Sequence, residues 1–174
     1  VEFKTVDKGK IRSGDTCILG LDVGSTTTKA ILLRKADNAI LADVYLRTNG
    51  NPVAASRQCY DSIDKQIRQR VDPADICIEG LGVCGSGRQI AGLHALTDGV
   101  INEIIAHATA AIYFDPKVDT IFEIGGQDSK YIRIEDGVVV DFAMNEACAA
   151  GTGSFLDQQA ERLGVSIGHE FAAL

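Results

Sequence analysis

Two eight-residue stretches decide the fold of this chain: Asp22-Val23-Gly24-Ser25-Thr26-Thr27-Thr28-Lys29 and Glu123-Ile124-Gly125-Gly126-Gln127-Asp128-Ser129-Lys130. Both run from an acid through an aliphatic residue, a glycine and polar residues to a lysine, and they lie 101 residues apart. Apolar residues precede each acid. Two further apolar segments follow each lysine, with a short polar turn between them. The pattern indicates one supersecondary unit used twice: strand, glycine hairpin, strand, turn, strand.

The residues of this repeated hairpin suit a phosphate ligand. Glycines allow the backbone to approach a ligand closely, and hairpin N–H groups and hydroxyls can cradle phosphate oxygens. The lysine supplies a positive charge. The acids at the strand ends can hold Mg²⁺, mostly through water. Two facing copies would clamp a polyphosphate, whereas the plainer alternative is a pair of ordinary surface hairpins.

The rest of the chain predicts an α/β fold with a mixed sheet. The first three strands, at 18–22, 29–34 and 39–46, are too close in sequence for parallel crossovers and must form an antiparallel meander. Asn51-Pro52 predicts the start of a helix that continues to about Arg70. The elements predicted after it are a strand at 76–81, a glycine-rich turn at 82–88, a helix at 102–114, a strand at 120–124 and a helix at 154–163.

Composition narrows the class of protein. The 174 residues carry a net charge of -7, which disfavours a nucleic-acid groove or an anionic membrane surface as the main partner. No apolar run approaches the length of a membrane span. Five cysteines, without any C-x-x-C pair, favour a reducing cytoplasm over a disulfide scaffold. Cys17 and Cys77 lie in apolar runs, where buried free thiols are expected.

The ends of the chain suggest a piece of a longer polypeptide. The first residue is Val1, the sole methionine is Met144, and an apolar stretch stands at the end. The expected organisation is a leader or linker at 1–16, a first lobe at 17–116 and the beginning of a truncated second lobe at 117–174.

Other motifs carry weaker signals. The pattern G-x-x-x-x-G-K-[ST] of a P-loop is absent. Residues 80–85 fit G-x-G-x-x-G after a strand, but a dinucleotide site also needs an acid at the end of a second strand. Glu103 stands near that distance in a helical segment. Glu103 and His107 share a helix face, as a metal pair or as a hydrogen-bonded structural pair.

Residues 22–26 and 123–126 resemble the phosphate-1 and phosphate-2 loops of the acetate and sugar kinase, chaperone and actin superfamily. Segments 103–108, 125–130 and 145–156 are similar to the BadF/BadG/BcrA/BcrD ATPases, the activators of 2-hydroxyacyl-CoA dehydratases and benzoyl-CoA reductases. The resemblance covers about residues 17–167. It implies an actin-like (ribonuclease H-like) fold in which a βββαβα lobe is duplicated.

The resemblance also implies a function. In that family a homodimer holds one four-iron, four-sulfur cluster between its subunits. ATP binding and hydrolysis change its shape, and one low-potential electron passes to the partner dehydratase or reductase. The implied cofactors are ATP or ADP, Mg²⁺ and the cluster. The implied catalytic residues are Asp22, Glu123 and Asp128; the implied nucleotide-binding residues are Gly24, Ser25, Thr26, Thr27, Lys29, Gly125, Gly126 and Gln127; the implied cluster ligand is Cys148.

Cys148 also has a chemical argument in its favour. It precedes a predicted helix, whose dipole and free N–H groups would stabilise a thiolate, although a buried cysteine in a glycine turn is the plainer alternative. The sequence departs from the family in three ways. The second cysteine ligand and the adenosine-binding loop lie beyond Leu174, and Glu123 replaces the usual Asp. Cys84 is expected to serve packing, and the fragment alone is expected to be inactive.

Two other functions fit the same superfamily. A small-molecule kinase would use Asp128 as the base for phosphoryl transfer, and a relic would keep the fold without the chemistry. Iron content separates the electron-transfer activator from these two. Acceptor-dependent ATP consumption separates the kinase from the relic.

Overall fold

The chain divides into two compact units, Val1–Glu103 and Ile104–Leu174. The structure is a computed structural model, and it describes residues 8–147, 149–167 and 170–171. Each unit has its own sheet and its own apolar core.

The first unit is built on a four-stranded mixed sheet with the order β3-β2-β1-β4. Strands β1 (Thr16–Val23), β2 (Thr27–Arg34) and β3 (Ile40–Arg47) form the predicted antiparallel meander. Strand β4 (Cys77–Cys84) pairs in parallel with β1, as the α-helical crossover between them requires. The predicted mixed sheet is therefore confirmed.

Helix α1 (Pro52–Arg68) covers one face of this sheet. Its start is fixed as predicted, because the Asn51 side chain accepts a hydrogen bond from the N–H of Ala54 at 3.0 Å and Pro52 needs no such partner. Cys59, Ile63 and Ile67 recur every four residues on its buried stripe and pack on the apolar face of the sheet. Burial of each such aliphatic side chain contributes about 1.5–3 kcal/mol to folding.

The segment after α1 differs in two ways from the predicted strand at 76–81 and glycine-rich turn at 82–88. Strand β4 continues through Gly82 to Cys84, so the G-x-G-x-x-G match lies mostly in a strand and forms no dinucleotide turn. A helix that the sequence analysis missed, α2 (Arg88–Ala95), follows the turn. It is short, it contains Gly92, and it buries few side chains, so its apolar periodicity is weak.

The second unit repeats the meander. Strands β5 (Thr120–Ile124), β6 (Ser129–Glu135) and β7 (Val138–Met144) form an antiparallel sheet in the order β5-β6-β7. Helix α3 (Glu103–Phe114) precedes them and helix α4 (Gly153–Leu163) follows. The core of this unit is a small cluster of Ile104, Ala108, Ile132 and Ile134.

The cysteines divide by their position in the first sheet. Cys17 is fully buried, as expected, but the expectation of a buried Cys77 is wrong, because this residue is the exposed first residue of β4.

Within the described residues, no helix is both long enough and apolar enough to cross a bilayer.

Two glycines of the first unit provide a matched test of its packing. A Cβ on Gly99 would lie 2.5 Å from the backbone oxygen of Leu81, whereas a Cβ on Gly80 would meet nothing within 4 Å. We expect Gly99→Ala to lower the free energy of unfolding by about 1–3 kcal/mol and Gly80→Ala to change it by less than about 0.5 kcal/mol. Denaturant unfolding of both variants checks this, and equal losses would contradict the described packing.

Candidate functional site

Both predicted glycine hairpins are present and are closed in the same way. The N–H of Gly24 donates to the oxygen of Thr27 at 2.9 Å, and the N–H of Gly125 donates to the oxygen of Asp128 at 2.8 Å. A Cβ on either glycine would lie 2.9 Å or 3.0 Å from the same carbonyl oxygen. A side chain at either position would therefore force the turn to shift, whether or not a ligand is bound.

The acid and the lysine of each hairpin face each other across the two strands. Asp22 pairs with Lys29 in the ladder of β1 and β2, and Glu123 pairs with Lys130 in that of β5 and β6. The lysine Nζ lies 2.9 Å from Asp22 Oδ2 in the first pair and 2.7 Å from Glu123 Oε2 in the second. Each lysine therefore forms an ion pair with the carboxylate at the end of the strand that enters its hairpin.

Asp22 is enclosed from the β4 side as well. It lies opposite Cys84 in the parallel ladder, and a Cβ on Gly85 would lie 2.5 Å from its Oδ1. The next glycine, Gly87, donates its N–H to Val23 at 2.7 Å. Burial raises the pKa of the Cys84 thiol to about 12, and the charge of Asp22 adds to the rise. Cys84 is thus a neutral group packed beside Asp22.

In the second hairpin the backbone carbonyls are turned toward the start of α4. The carbonyl oxygens of residues 125–127 accept hydrogen bonds, in order, from the N–H groups of Gly153 at 2.9 Å, Ser154 at 2.9 Å and Ala149 at 2.7 Å. In a trans peptide the C=O and the following N–H point in opposite directions. The N–H groups of residues 126–128 therefore point away from α4.

The same bonds correct one argument about Cys148. Free N–H groups at the start of α4 were expected to stabilise its thiolate, but those of Gly153 and Ser154 are bonded to the hairpin, and that of Phe155 bonds to Thr152. Cys148 itself lies outside the described residues.

The duplication extends beyond the hairpins. In the first unit the N–H of Thr48 donates to the oxygen of Thr26 at 2.9 Å, and in the second the N–H of Ala149 donates to that of Gln127 at 2.7 Å. These partners are again 101 residues apart, as are Asn51 and Thr152, the N-cap residues of α1 and α4. The predicted repeat therefore includes the helix that follows each meander.

The third strands break this spacing. Leu33 faces Ile40 in the first unit and Ile134 faces Val139 in the second, so β7 is displaced from β3 by 99 residues. Because the offset returns to 101 at Ala149, the second unit has a shorter turn before its third strand and two extra residues after it. The extra residues fall within 146–148, the segment that contains Cys148.

The other predicted residues occupy defined places. Thr26 and Thr27 are half-buried in the first hairpin and Ser25 is exposed; Gly126 and Asp128 are half-buried in the second and Gln127 is exposed. Glu103 forms an ion pair with Arg88, at 3.8 Å, and His107 is half-buried. No group of three or more His, Cys, Asp or Glu residues in the described part of the chain could hold a metal ion.

The supporting roles of three residues were not predicted, although Arg88 lies in the predicted turn 82–88 and Asn145 begins the segment 145–156 that carries the family resemblance. Thr48 Oγ1 donates to the oxygen of Gly24 at 2.7 Å, Arg88 donates to that of Gly85 at 3.1 Å, and the Asn145 amide bonds to the second hairpin. All three residues lie outside the two hairpin motifs, 22–29 and 123–130. Thr48 stands three residues before the Asn51 helix cap, a position that offered a local signal.

The chain contains the same unit twice: three antiparallel strands, with an acid at the start of the first hairpin, followed by a helix. This duplicated unit is the actin-like fold of nucleotide-binding proteins. The model of the BadF/BadG/BcrA/BcrD ATPase family matches residues 19–170, and the chain belongs to that family. The (R)-2-hydroxyglutaryl-CoA dehydratase activating ATPase of Acidaminococcus fermentans is 34% identical over 149 residues, which is 86% of this chain and 54% of that protein.

Solved structures agree with this assignment. The crystal structure of the A. fermentans dehydratase component A has a TM-score of 0.71 at 34% identity and is matched over 87% of this chain and 56% of its own. The activator of the 2-hydroxyisocaproyl-CoA dehydratase from Clostridium difficile, with bound ADPNP, has a TM-score of 0.69 at 31% identity over 87% and 53%. The chain spans about half the length of these relatives.

The two acid–lysine pairs differ in burial, and this difference can be tested. The Lys130 and Glu123 side chains are 7% and 21% exposed, against 35% and 29% for Lys29 and Asp22. Lys130→Met removes a buried ammonium group and leaves the half-buried Glu123 carboxylate without this partner, so we expect a loss of roughly 2–4 kcal/mol of unfolding free energy. For the better-solvated pair, we expect Lys29→Met to cost less than about 1 kcal/mol. Denaturant unfolding compares the two, and equal costs would contradict this difference.

The cysteines of β4 should differ in reactivity. At pH 8 a thiol with a pKa of about 12 has a thiolate fraction roughly a thousandfold below that of an ordinary exposed cysteine. We expect iodoacetamide to modify the exposed Cys77 at the start of the strand and to spare Cys84 at its end. Peptide mass spectrometry over a time course measures both rates, and equal rates would show that Cys84 is not held neutral beside Asp22.

Proposed function

We propose that the complete protein is an ATP-dependent electron-transfer activator of a 2-hydroxyacyl-CoA dehydratase or a benzoyl-CoA reductase. The observation that carries the proposal is the second hairpin, whose carbonyls bond to the loop and helix after β7 while its N–H groups point the other way. One turn would thus join a backbone anion site to the segment around Cys148.

The first part of the proposal is nucleotide binding by the two hairpins. Residues 25–27 would bind phosphate through N–H groups and hydroxyls, and residues 126–128 through N–H groups, because the N–H groups of Gly24 and Gly125 already close the turns. The relative from C. difficile was solved with bound ADPNP, which supports ATP as the ligand. Lys29 forms an ion pair with Asp22, so its ammonium group would contact a phosphate while it remains bonded to that carboxylate.

The acids fit a hydrated Mg²⁺ ion. Mg²⁺ keeps several waters and uses one or two carboxylates together with substrate phosphates, so a preformed protein cage is not needed. Asp22 and Glu123 each have one carboxylate oxygen bonded to a lysine, so a metal-bound water would donate to the other oxygen. When bound, the ion would neutralise phosphate charge. We assign to Asp128 the orientation of the attacking water.

An iron–sulfur cluster would take its ligands from two copies of the chain. Cys148 would be one thiolate ligand, and two copies of the chain would supply two. A four-iron, four-sulfur cluster takes four cysteine ligands, so a second cysteine from each subunit would have to lie outside this chain. When bound, the cluster would supply one low-potential electron. The residues on either side of Cys148 would tie its position to the second hairpin.

An anaerobic reconstitution of the complete protein with iron and sulfide tests the cluster. We expect about four irons per dimer, a loss of most of them in Cys148→Ala, and no loss in the matched control Cys77→Ala. A folded, nucleotide-binding dimer without iron would contradict the electron-transfer function and leave a kinase or a relic.

The ATPase step is tested by Asp128→Asn in the same protein. Loss of a water-orienting carboxylate lowers kcat for ATP hydrolysis by about a hundredfold or more, whereas KM should change little because the hairpin backbone binds the phosphates. Steady-state phosphate release measures both constants. Unchanged kcat would remove Asp128 from the catalytic step.

A further inference from the structure

Asn145 directly precedes the two residues that the second unit has in addition to the first. Its N–H donates to the oxygen of Ser129 at 3.0 Å, which gives it the place beside β6 that Leu46 takes beside β2. Leu46 packs against the apolar core of the first unit. An amide at this position has no packing equivalent in the first unit, and the two-residue insertion begins directly after it.

The side chain of Asn145 spans that insertion. Its Oδ1 accepts from the N–H of Ser129 at 3.0 Å. Its Nδ2 donates to the oxygen of Ala147 at 2.6 Å and lies 3.4 Å and 3.5 Å from those of Gln127 and Ala150. One amide group therefore contacts β6, the second hairpin and the loop on both sides of position 148.

A second side chain completes the connection. Thr152 is almost fully buried, and its Oγ1 lies 3.0 Å from the carbonyl oxygen of Gly126 and 2.8 Å from that of Ala149, two acceptors that share its single O–H donor. Together with the backbone bond from Ala149 to Gln127, these contacts fasten the loop 146–151 to the hairpin.

The peptide planes of the hairpin supply a physical route for coupling. Each plane is rigid, so a tilt of its N–H toward an anion on one side tilts its C=O on the other. The carbonyl groups of Gly126 and Gln127 are the acceptors that Thr152 and Asn145 contact. A phosphate bound at the N–H groups would thus change the hydrogen bonds that hold the loop 146–151.

We propose that Asn145 is a positioning residue that transmits nucleotide occupancy from the second hairpin to the loop 146–151. The proposal rests on the proposed function, because it takes the hairpin to be a nucleotide site. It predicts that nucleotide binding and the response of the loop are separable by substitution of Asn145.

The test is amide hydrogen exchange of the complete protein, followed by mass spectrometry, with and without Mg²⁺ and a non-hydrolysable ATP analogue. In the unsubstituted protein we expect the nucleotide to change exchange in peptides covering 146–153 by about tenfold, the equivalent of one or two hydrogen bonds. Asn145→Asp keeps the acceptor for Ser129 but loses the Nδ2 donor. We expect this variant to bind the analogue within about threefold of the original Kd and to lose the loop response.

Two further variants keep the test decisive. Gln66→Ala removes a comparable amide-to-carbonyl hydrogen bond, from Gln66 to Asp43 in the first unit, and should leave both affinity and response unchanged. Thr152→Val removes the Oγ1 bonds with little change in volume and should reduce the response in a protein with Asn145 intact, which covers the case that Asn145→Asp does not fold.

The outcomes separate the inference from the function. A full loop response in Asn145→Asp, or no loop response in the unsubstituted protein despite nucleotide binding, overturns the role of Asn145 and leaves the proposed ATPase standing. No nucleotide binding by the complete protein overturns the proposed function and, with it, this inference.

Discussion

One hydrogen bond, from the N–H of a glycine to the carbonyl three residues later, fixes the position of the candidate site in each unit. The turn that it closes has no room for a Cβ on Gly24 or Gly125. It also sets the strand register in which an acid and a lysine face each other. The acid, the hydroxyls and the backbone N–H groups take their places from this one turn.

The two copies share this turn but support it differently. In the first, Thr48 and the glycines after β4 pack against the hairpin and its acid. In the second, the loop after β7 and the start of α4 bond to three successive hairpin carbonyls. Because the second copy alone carries the two-residue insertion and the Asn145 amide, the duplication shows which features serve the common fold and which are specific to one copy.

The predicted and the missed features differ in the range of the interactions that determine them. Both hairpins, the meander and the Asn51 cap were predicted because each depends on residues close together in sequence. Helix α2 was missed because its short amphipathic pattern contains Gly92, and Cys77 is exposed because it lies at the very start of its strand. The bonds of Asn145 and Thr152 to the second hairpin join residues up to 26 positions apart, so no local pattern reveals them.

The central claim is that the backbone N–H groups of both hairpins bind nucleotide phosphates. Amide resonances of the complete protein, followed by NMR during titration with Mg²⁺ and a non-hydrolysable ATP analogue, test it most directly, with adenosine as the phosphate-free control. The account predicts that the amides of residues 25–27 and 126–128 shift with the analogue and not with adenosine. Saturable binding of the analogue without shifts at these amides would contradict it.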